Sequence, residues 1–374
     1  MHKLIRITTI PGSMRSLLKG QLCFMKQYYE VVAVSSGGES FDKMLEEQEV
    51  RGVVVPMTRK ITPWADLKAL VMLICLFLKE KPDIVHTHTP KAGTLGMLAA
   101  WITRVPCRLH TIAGLPLLVA TGKKRRLLNF VEKVTYACAT KVYPNSFVMK
   151  QIVLDLGFTR PEKLKVIANG SSNGINTDFF SPKASFTHID TTDQTFTFCF
   201  VGRMVTDKGI NELVHAFVRL YEKNDRVRLL LVGPLEQELN PILPDVEELI
   251  SHHSAIHYVG YQSDVRPFFA ASDALVFPSY REGFPNVVMQ AGAMGLPSIV
   301  TDINGCNEII IEGKNGVIIP PKDKQALYEA MEQFILNPEK VKEMAMNARP
   351  LITSRYEQKL VWDALLAEYK MLLP

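Results

Sequence analysis

The chain has 374 residues with a formal net charge of +5; 47% of its residues are hydrophobic and 22% are charged. This length suggests two domains of roughly 100–200 residues each, and the composition is ordinary for a globular protein with a full core. The mild charge, with no aromatic residues interleaved among the basic ones, does not favour nucleic-acid binding. The longest apolar run, residues 69–78, is too short for a membrane span of about 20 residues, so we predict a buried helix there.

The cysteines and the first residues also limit the possible classes. The six cysteines are scattered and none forms a C-x-x-C pair, so neither a zinc site nor a redox dithiol is indicated. We expect buried, reduced thiols in a cytoplasmic protein. Residues 1–10 are too short an apolar stretch for a signal peptide and are interrupted by Arg6, so we predict a first β-strand instead.

In the first half of the chain, short β-branched runs alternate with helical patterns. We predict strands at residues 4–9, 31–35, 52–55, 84–88, 108–112, 141–144 and 165–168. We predict helices at residues 14–27, 64–80, 92–103, 124–139 and 146–156. This alternation is typical of a parallel sheet that is covered by helices on both faces.

Residues 178–194 are polar and have no apolar periodicity, which indicates a linker. After it, we predict strands at residues 196–201, 227–232, 256–258, 274–277, 298–301 and 316–319, and helices at 208–223, 245–253, 265–271, 286–294, 324–336, 339–348 and 358–372. The sequence therefore predicts an α/β chain of two tandem Rossmann-like, doubly wound domains, residues 1–180 and 195–356, with a cleft between them. The last helix, residues 357–374, is expected to pack back on the first domain.

The first candidate site follows the strand at residues 196–201. Gly202 and Arg203 come directly after it, and Lys208 and Gly209 precede the next helix. Two cations beside a helix N-terminus suit a diphosphate, because an arginine can bind it with two parallel hydrogen bonds and the helix dipole favours negative charge. The alternative is a surface loop with two solvated cations.

The second candidate site follows the strand at residues 274–277. It is the run Arg281-Glu282-Gly283-Phe284-Pro285-Asn286, which leads into a helix. Gly283 allows a ligand to approach the backbone, and Pro285 suits the first turn of a helix. The free N–H groups there suit a phosphate, and Glu282 can accept hydrogen bonds from sugar hydroxyls. The alternative is a capping loop without a ligand.

These motifs resemble those of the family-4 retaining glycosyltransferases, which have the two-domain GT-B fold. The resemblance covers the whole chain and is most specific in the second domain. It rests there on Gly202-Arg203-x4-Lys208-Gly209, Glu282-Gly-Phe-Pro-Asn-Val-Val, Gly295-Leu-Pro and Gly305-Cys-Asn-Glu-Ile-Ile. In the first domain, residues 85–93 and 110–116 resemble bacterial members that extend lipid-linked oligosaccharides for capsule, O-antigen or glycan assembly.

The resemblance implies roles for the matching residues of the second domain. Arg203 and Lys208 would neutralise the diphosphate of a nucleotide-sugar donor, and Glu282 would hold the transferred sugar near its 3- and 4-hydroxyls. The segment of Gly283, Phe284, Pro285 and Asn286 would line the sugar and phosphate positions.

The chain departs from the family pattern at one donor-binding position. In the family a second glutamate, eight residues after the first, binds the ribose hydroxyls; this chain has Gln290 there. An amide both accepts and donates hydrogen bonds, so we expect ribose binding to survive with changed strength.

In the first domain the resemblance implies that His110 contacts the donor sugar, where a neutral imidazole could bond the 6-hydroxyl or the reacting region. The alternative is a buried structural histidine. Gly12 lies in the loop of residues 9–16, where the family places a glycine-rich loop near the donor phosphate; a plain turn is the alternative. His86 and His88 alternate along a strand, and without a nearby acidic residue they make a poor metal site.

The expected reaction needs no metal and no cofactor. The sequence has no convincing Asp-x-Asp metal motif, and the acidic segment from Asp190 to Asp193 lies in the linker. The cations and the helix N-terminus would therefore stabilise the leaving diphosphate instead. The family mechanism is front-face substitution with retention, in which the leaving phosphate helps to deprotonate the acceptor hydroxyl. The expected donor is a UDP-sugar that carries a hexose or N-acetylhexosamine.

The basic run Lys123, Lys124, Arg125 and Arg126 opens an amphipathic helix. It suits anionic lipid head groups, although a solvated helix start is the alternative. The resemblance to members that extend lipid-linked oligosaccharides implies a polyprenyl-diphosphate-linked saccharide as acceptor. This basic run and the apolar loop of residues 115–120 agree with such an acceptor and with peripheral association with the cytoplasmic face of the inner membrane. Two other functions stay open: a sugar-nucleotide epimerase on the same fold, which would need carboxylate acid and base residues, and a catalytically silent sugar-nucleotide-binding protein.

Overall fold

The computed structural model describes residues 1–183, 195–236, 238 and 240–373. The chain divides into two compact units: the first comprises residues 1–174 and 359–374, and the second comprises residues 175–358. Of the predicted linker, residues 184–194, which include Asp190 and Asp193, lie outside the described part of the chain.

The first unit is built on a six-stranded, fully parallel sheet. Its strands are β1 (Lys3–Ile7), β2 (Glu30–Ser35), β3 (Arg51–Val54), β4 (Ile84–Thr87), β5 (Cys107–Ile112) and β6 (Lys141–Pro144), in the order β3-β2-β1-β4-β5-β6. Its helices are α1 (Pro11–Leu18), α2 (Gln21–Met25), α3 (Glu39–Gln48), α4 (Pro63–Glu80), α5 (Pro90–Ile102), α6 (Gly122–Cys138) and α7 (Phe147–Asp155), with 3₁₀ turns at Pro116–Val119 and Pro161–Lys163.

The second unit repeats this plan with a second parallel sheet. Its strands are β7 (Phe196–Val201), β8 (Val227–Val232), β9 (Ile256–Tyr258), β10 (Ala274–Phe277), β11 (Ser298–Thr301) and β12 (Gly316–Ile319), in the order β12-β11-β10-β7-β8-β9. Its helices are α8 (Ile210–Lys223), α9 (Pro244–His252), α10 (Arg266–Ala270), α11 (Asn286–Ala293), α12 (Cys306–Ile309), α13 (Lys324–Leu336) and α14 (Pro338–Tyr356), with a 3₁₀ turn at Thr206–Lys208. The two sheets confirm the predicted pair of doubly wound parallel-sheet domains.

The last helix, α15 (Gln358–Leu372), packs in the core of the first unit. Leu365, Leu366 and Tyr369 are buried there against apolar residues of β1, α1 and α2. Its polar side chains are also engaged, because Tyr143 of β6 donates a hydrogen bond to Glu368 Oε1 at 3.2 Å.

The helix α4 differs from the sequence prediction. The sequence predicts a buried helix at residues 69–78, but only Ala69, Leu73 and Phe77 are buried, whereas Val71, Cys75 and Leu78 are exposed. The buried residues recur every four positions because the helix lies on the surface of the sheet and turns one stripe inward. The remaining apolar side chains therefore form an outer face.

Two further predictions about local structure are wrong, and one helix was not predicted. Residues 165–168 form no strand, because only Leu164 makes an isolated bridge to Val142 and Ala168 has a left-handed backbone conformation. The helix predicted at residues 14–27 is two helices, since Gly20 interrupts it with φ 78°. The helix α3 was not predicted at all; its charged outer surface leaves only Phe41, Met44 and Gln48 buried.

Candidate functional site

Both second-unit motifs follow strands at the point where the strand order of the sheet reverses. The neighbouring strands β7 and β10 pair in parallel, with Leu275 opposite Cys199. Ligands of open α/β sheets bind outside the carboxyl ends of the strands at such a switch point. The loops that follow β7 and β10 therefore occupy the position where this fold binds ligands.

The loop after β10 lies close to the loops after β7 and β11, and a glycine in each of those two loops makes the close approach possible. Gly209 has φ 71°, and a Cβ atom there would lie only 2.2 Å from the carbonyl oxygen of Pro278. Gly305 has φ 80°, and a Cβ atom there would lie 2.9 Å from the carbonyl oxygen of Gly283. These close backbone approaches hold the loop of residues 278–285 between its neighbours.

An ion pair joins the two motifs. Lys208 Nζ donates a hydrogen bond to Glu282 Oε1, and each of these side chains is only 17% exposed. Ser279 Oγ donates to the same carboxylate oxygen at 3.0 Å. Both predicted ligand-binding side chains thus lie together, and each is held by the other. Ser279, which lies two residues before the Arg281–Asn286 run, was not predicted as part of the site.

The other cations of the site are also paired. Arg203 Nη1 lies 2.8 Å from Glu236 Oε2, with the arginine side chain 49% exposed. Arg281 binds Asp207 Oδ2 with an Nη2–O distance of 2.7 Å. Burial raises the pKa of the Asp207 carboxyl, but hydrogen bonds from Arg281 and Asn240 outweigh it and hold that pKa below its usual value. A ligand diphosphate would replace or share these carboxylate partners.

The rest of the second motif forms the start of α11. Pro285 is buried at the N-cap position, whereas Asn286 is exposed in the first turn. Phe284 packs edge-on against Tyr356, with ring centroids 5.4 Å apart. Asn304 Nδ2 donates to the carbonyl oxygen of Glu282 at 3.2 Å, which helps to fix the loop. The first-turn N–H groups of α11 are oriented to bind an anion.

Gln290 lies half-buried on α11, eight residues after Glu282. Its side-chain amide has no hydrogen-bond partner among the residues that the structure describes. The amide is therefore available to a ligand, as the family pattern implies for this position.

His110 is a buried residue of β5 in the first unit. Its Nδ1 lies 2.8 Å from Thr87 Oγ1, and a Cβ atom on Gly93 would lie 2.4 Å from its Cε1. Burial lowers the pKa of His110 to about 4, so the ring is neutral at physiological pH. This agrees with a neutral hydrogen-bonding role and equally with a structural one.

Gly12 does not lie in a loop. The segment of residues 9–16 was expected to be a loop, but α1 already begins at Pro11, which places exposed Gly12 in its first turn. Proline at the first helical position explains this early start, because its φ is already helical. A Cβ atom on Gly12 would meet no neighbour within 4 Å, so no close backbone approach within this chain requires glycine there.

His86 and His88 are both buried inside the first unit, where burial holds the pKa of each well below 6.5. Their rings lie 4.3 Å apart. His88 Nε2 accepts a hydrogen bond from Arg6, a fully buried residue of β1 that was predicted only to interrupt an apolar run. No sequence pattern indicated that its guanidinium is internal.

Comparisons with known proteins agree with this geometry. A family model described as "Glycosyl transferases group 1" matches residues 195–337, and one described as "Glycosyl transferase 4-like domain" matches residues 23–170. The chain is 33% identical to the capsular polysaccharide biosynthesis glycosyltransferase CapM of Staphylococcus aureus, over 100% of this chain and 98% of that protein.

Two further relatives show the range of the likeness. An Escherichia coli protein, UDP-Gal:alpha-D-GlcNAc-diphosphoundecaprenol alpha-1,3-galactosyltransferase, is 30% identical over 76% of this chain and 75% of its own. The crystal structure of Anabaena HepE in complex with UDP superposes with a TM-score of 0.79 at 18% identity, over 99% of this chain and 100% of that one. This likeness in structure confirms the GT-B fold.

Proposed function

The chain belongs to the group 1 glycosyltransferases with a 4-like first domain and is a glycosyltransferase, and from that premise we propose its substrates and mechanism. It transfers a hexose or N-acetylhexosamine from a UDP-sugar to a polyprenyl-diphosphate-linked saccharide, with retention at the anomeric carbon. The acceptor belongs to the synthesis of a bacterial surface polysaccharide or glycan.

The observation that carries this proposal is that the two motifs contact each other where the strand order of the second sheet reverses. Lys208, Glu282 and the start of α11 lie together there. A nucleotide diphosphate needs cations and backbone N–H groups, and the hydroxyls of a sugar need a carboxylate acceptor. This set of groups matches a nucleotide sugar better than either a bare nucleotide or a free sugar.

In the proposed reaction, the bond between the anomeric carbon and the diphosphate oxygen breaks as the acceptor hydroxyl attacks the same face. The leaving diphosphate takes the proton of that hydroxyl. Arg203 and Lys208 stabilise the charge that develops on the diphosphate, a preorganised electrostatic role. Both cations have carboxylate partners in this structure, so donor binding must redistribute these pairs.

The relatives support the choice of substrates. The Escherichia coli relative carries UDP-Gal and a diphosphoundecaprenol-linked GlcNAc in its name, and CapM of Staphylococcus aureus is named for capsular polysaccharide biosynthesis. We extend the chemical classes, a UDP-sugar and a lipid-linked saccharide, to this chain. Metal-independence belongs to the same proposal.

We also propose that the first unit docks on an anionic membrane. Trp64 at the start of α4 is 85% exposed, and Phe130 of α6 is 65% exposed. Lys123, Lys124 and Arg126 at the start of α6 are also exposed, whereas Arg125 donates to the backbone of Leu117. The helix α5 contacts both α4 and α6, so these residues share one face of the unit. Among the described residues, no helix is both long and apolar enough to cross a bilayer.

The face combines apolar side chains with cations, which complements anionic lipid head groups. Because α4 and α6 follow parallel strands on one side of the sheet, both begin at the carboxyl edge of that sheet, where Trp64 and the basic run lie. Docking by this edge would bring a lipid-linked acceptor to the end of the sheet where ligands of this fold bind.

The experiment that tests the function is a donor screen. Purified protein is incubated with UDP-, GDP- and dTDP-sugars and a synthetic undecaprenyl-diphosphate-linked saccharide, and products are identified by mass spectrometry. We expect transfer from a UDP-sugar, and we expect the Glu282→Ala variant to catalyse this transfer about 100-fold less efficiently or worse. Absence of transfer from every donor would overturn the proposal, and conversion of a UDP-sugar without acceptor would indicate an epimerase.

A further inference from the structure

Arg6 carries a charge deep inside the first unit, and no carboxylate of the described part of the chain forms a hydrogen bond with it. The residue has no exposed surface. Its guanidinium donates to Tyr369 Oη at 3.1 Å, to Gln21 Oε1 at 2.5 Å and to His88 Nε2 at 2.8 Å. All three partners are neutral groups. A guanidinium only donates hydrogen bonds, so Arg6 fixes the direction of every bond that begins there.

The first consequence concerns His88. Because its Nε2 accepts from Arg6, the proton of the neutral ring must lie on Nδ1. His88 Nδ1 is buried and has no hydrogen-bond partner among the residues that the structure describes. The guanidinium therefore leaves one unused N–H donor on the other side of the His88 ring.

The second consequence passes through α15. Tyr369 accepts from Arg6, and among the described residues its buried hydroxyl proton has one acceptor within reach, His86 Nδ1, at 2.5 Å. The proton of His86 is then on Nε2, which donates to Thr111 Oγ1 at 2.8 Å. Thr111 is left with a hydroxyl proton to donate. Two chains of hydrogen bonds therefore run from Arg6, one to His88 and one through Tyr369 and His86 to Thr111. Each ends in an N–H or O–H group whose proton has not been donated within the described part of the chain.

Both chains end at one pocket. His88 and Thr111 line one pocket together with Tyr143, Asn145, Ser172 and Leu365. It lies at the carboxyl ends of β4, β5 and β6. Asn145 Oδ1 and Ser172 Oγ are also buried without a partner. Unpartnered buried polar groups are uncommon, since each costs about 1–3 kcal/mol, and here three of them line the same pocket.

We infer that this pocket binds hydroxyl groups of the acceptor saccharide, with His88, Thr111, Asn145 and Ser172 as the recognising side chains and Arg6 as a positioning residue. This inference rests on the proposed function for the identity of the saccharide. A hydroxyl both accepts and donates: its oxygen accepts from His88 Nδ1–H or Thr111, and its proton is donated to Asn145 Oδ1. Ser172 pairs with a neighbouring hydroxyl.

The same groups fit other ligands less well. A phosphate or carboxylate would use the two donors but would face the Asn145 carbonyl oxygen without a proton to share. An apolar group would leave all of the orphaned atoms unsatisfied. Only a group that both donates and accepts satisfies the set in the orientation that the structure gives it.

The kinetic test uses Thr111→Val and Ser172→Ala, which remove a hydroxyl with little change of shape. We expect each to raise KM for the lipid-linked acceptor about tenfold, the effect of one ordinary hydrogen bond, with KM for the UDP-sugar unchanged. The matched control is Ser298→Ala, which removes an equally buried and unpartnered hydroxyl from the second unit. Unchanged acceptor KM in both variants, or an equal rise in the control, would overturn the assignment.

A binding test separates this inference from the proposed function. Side-chain ¹⁵N spectra of the wild-type protein should show opposite neutral tautomers, with the proton on Nδ1 in His88 and on Nε2 in His86. Adding methyl glycosides of glucose, galactose and N-acetylglucosamine should shift the His88 Nδ1 signal for at least one sugar. A shift that only phosphate or acetate causes would overturn the saccharide assignment. The absence of a shift with every probe would also overturn it and would leave a pocket that holds only water. A shift without any glycosyl transfer would refute the proposed function but not the pocket.

The role of Arg6 has its own readout. In Arg6→Gln we expect the His88 tautomer preference to weaken and acceptor KM to rise while the turnover of bound donor stays the same. If this variant fails to fold, the wild-type tautomers still decide the point, since a proton on His88 Nε2 would contradict the proposed hydrogen-bond direction.

Discussion

The ammonium group of Lys208 is bound to the carboxylate of Glu282, although 73 residues separate them along the chain. The pair joins the loop after β7 to the loop after β10 and is mostly buried. In the proposed reaction these groups serve different parts of one ligand, the diphosphate and the sugar. The pair therefore keeps each side chain neutralised until the donor arrives.

This arrangement predicts coupled effects of mutation. Glu282→Ala and Lys208→Ala should each lower kcat/KM by about 100-fold or more, because each removes a contact to the donor and leaves the other charge without its partner. The double variant should lose less than the sum of the two free-energy effects. Steady-state kinetics of the four proteins measures this. Full additivity, with circular dichroism showing intact folds, would mean that the pair does not act as a unit.

Gln290→Glu tests the departure from the family pattern. A carboxylate accepts hydrogen bonds from the ribose hydroxyls more strongly than an amide oxygen does, because the bond is charge-assisted. We expect UDP to bind about fivefold to tenfold more tightly to the variant, as measured by calorimetry. The comparison ligand is 2′-deoxy-UDP, for which the gain should largely disappear. Equal gains for both nucleotides would contradict a contact with the 2′-hydroxyl.

The proposed use of cations in place of a metal predicts insensitivity to chelation. Transfer should continue at an unchanged rate after treatment with EDTA, because Arg203, Lys208 and the N-terminus of α11 stabilise the leaving diphosphate. The rate is compared before and after dialysis against the chelator. A loss of activity that added Mg²⁺ or Mn²⁺ restores would refute this part of the mechanism.

The buried histidines predict a pH-dependent stability. The pKa of His110 is about 4 in the folded protein against 6.5 for the exposed group, so the unfolded state binds more protons between these values. Its contribution is complete above pH 6.5 and is lost as the pH falls. From pH 7 to 5 we expect this residue to account for about 2 kcal/mol of lost stability. Urea unfolding of wild type and His110→Gln should show a shallower pH dependence in the variant; equal slopes would contradict the assignment.

The membrane face can be tested with vesicles. Replacing Lys123, Lys124 and Arg126 with glutamine should reduce binding to phosphatidylglycerol vesicles roughly 100-fold, at about 1 kcal/mol for each basic residue. Trp64→Ser should weaken binding to the same vesicles through loss of apolar contact. Sedimentation with phosphatidylcholine vesicles serves as the comparison. Binding that is indifferent to both lipid charge and these substitutions would refute the docking face.

Much of the fold follows from local sequence patterns. All six strands of the second unit lie at their predicted residues, because buried parallel strands are short β-branched runs with clear turn signals at both ends. The helix α3 was missed because its few apolar residues form too weak a periodic pattern to predict a helix. The exposed apolar face of α4 could not be predicted, because a continuous apolar run does not indicate which side of the helix packs against the sheet.

The candidate site likewise contains features that the sequence predicted and features that it did not. Lys208 and Glu282 were predicted because they follow strands that a doubly wound sheet brings side by side. That they bind one another was not predictable, since it depends on the positions of two side chains rather than on spacing. Arg6 was missed for a related reason: a single charge in an apolar run gives no sign of whether it is internal, and its partner Tyr369 lies 363 residues away.

The boundary between the units has a practical consequence. Ile175 N donates to Tyr356 O at 2.8 Å, and Gln358 N donates to Ile175 O at 3.0 Å. The first and last residues of the second unit are therefore adjacent in space, and this unit is an insertion between two segments of the first. Residues 175–358 can be excised as one continuous fragment with adjoining ends, whereas the first unit can be produced alone only if a short artificial bridge reconnects residue 174 to residue 359 and so retains α15.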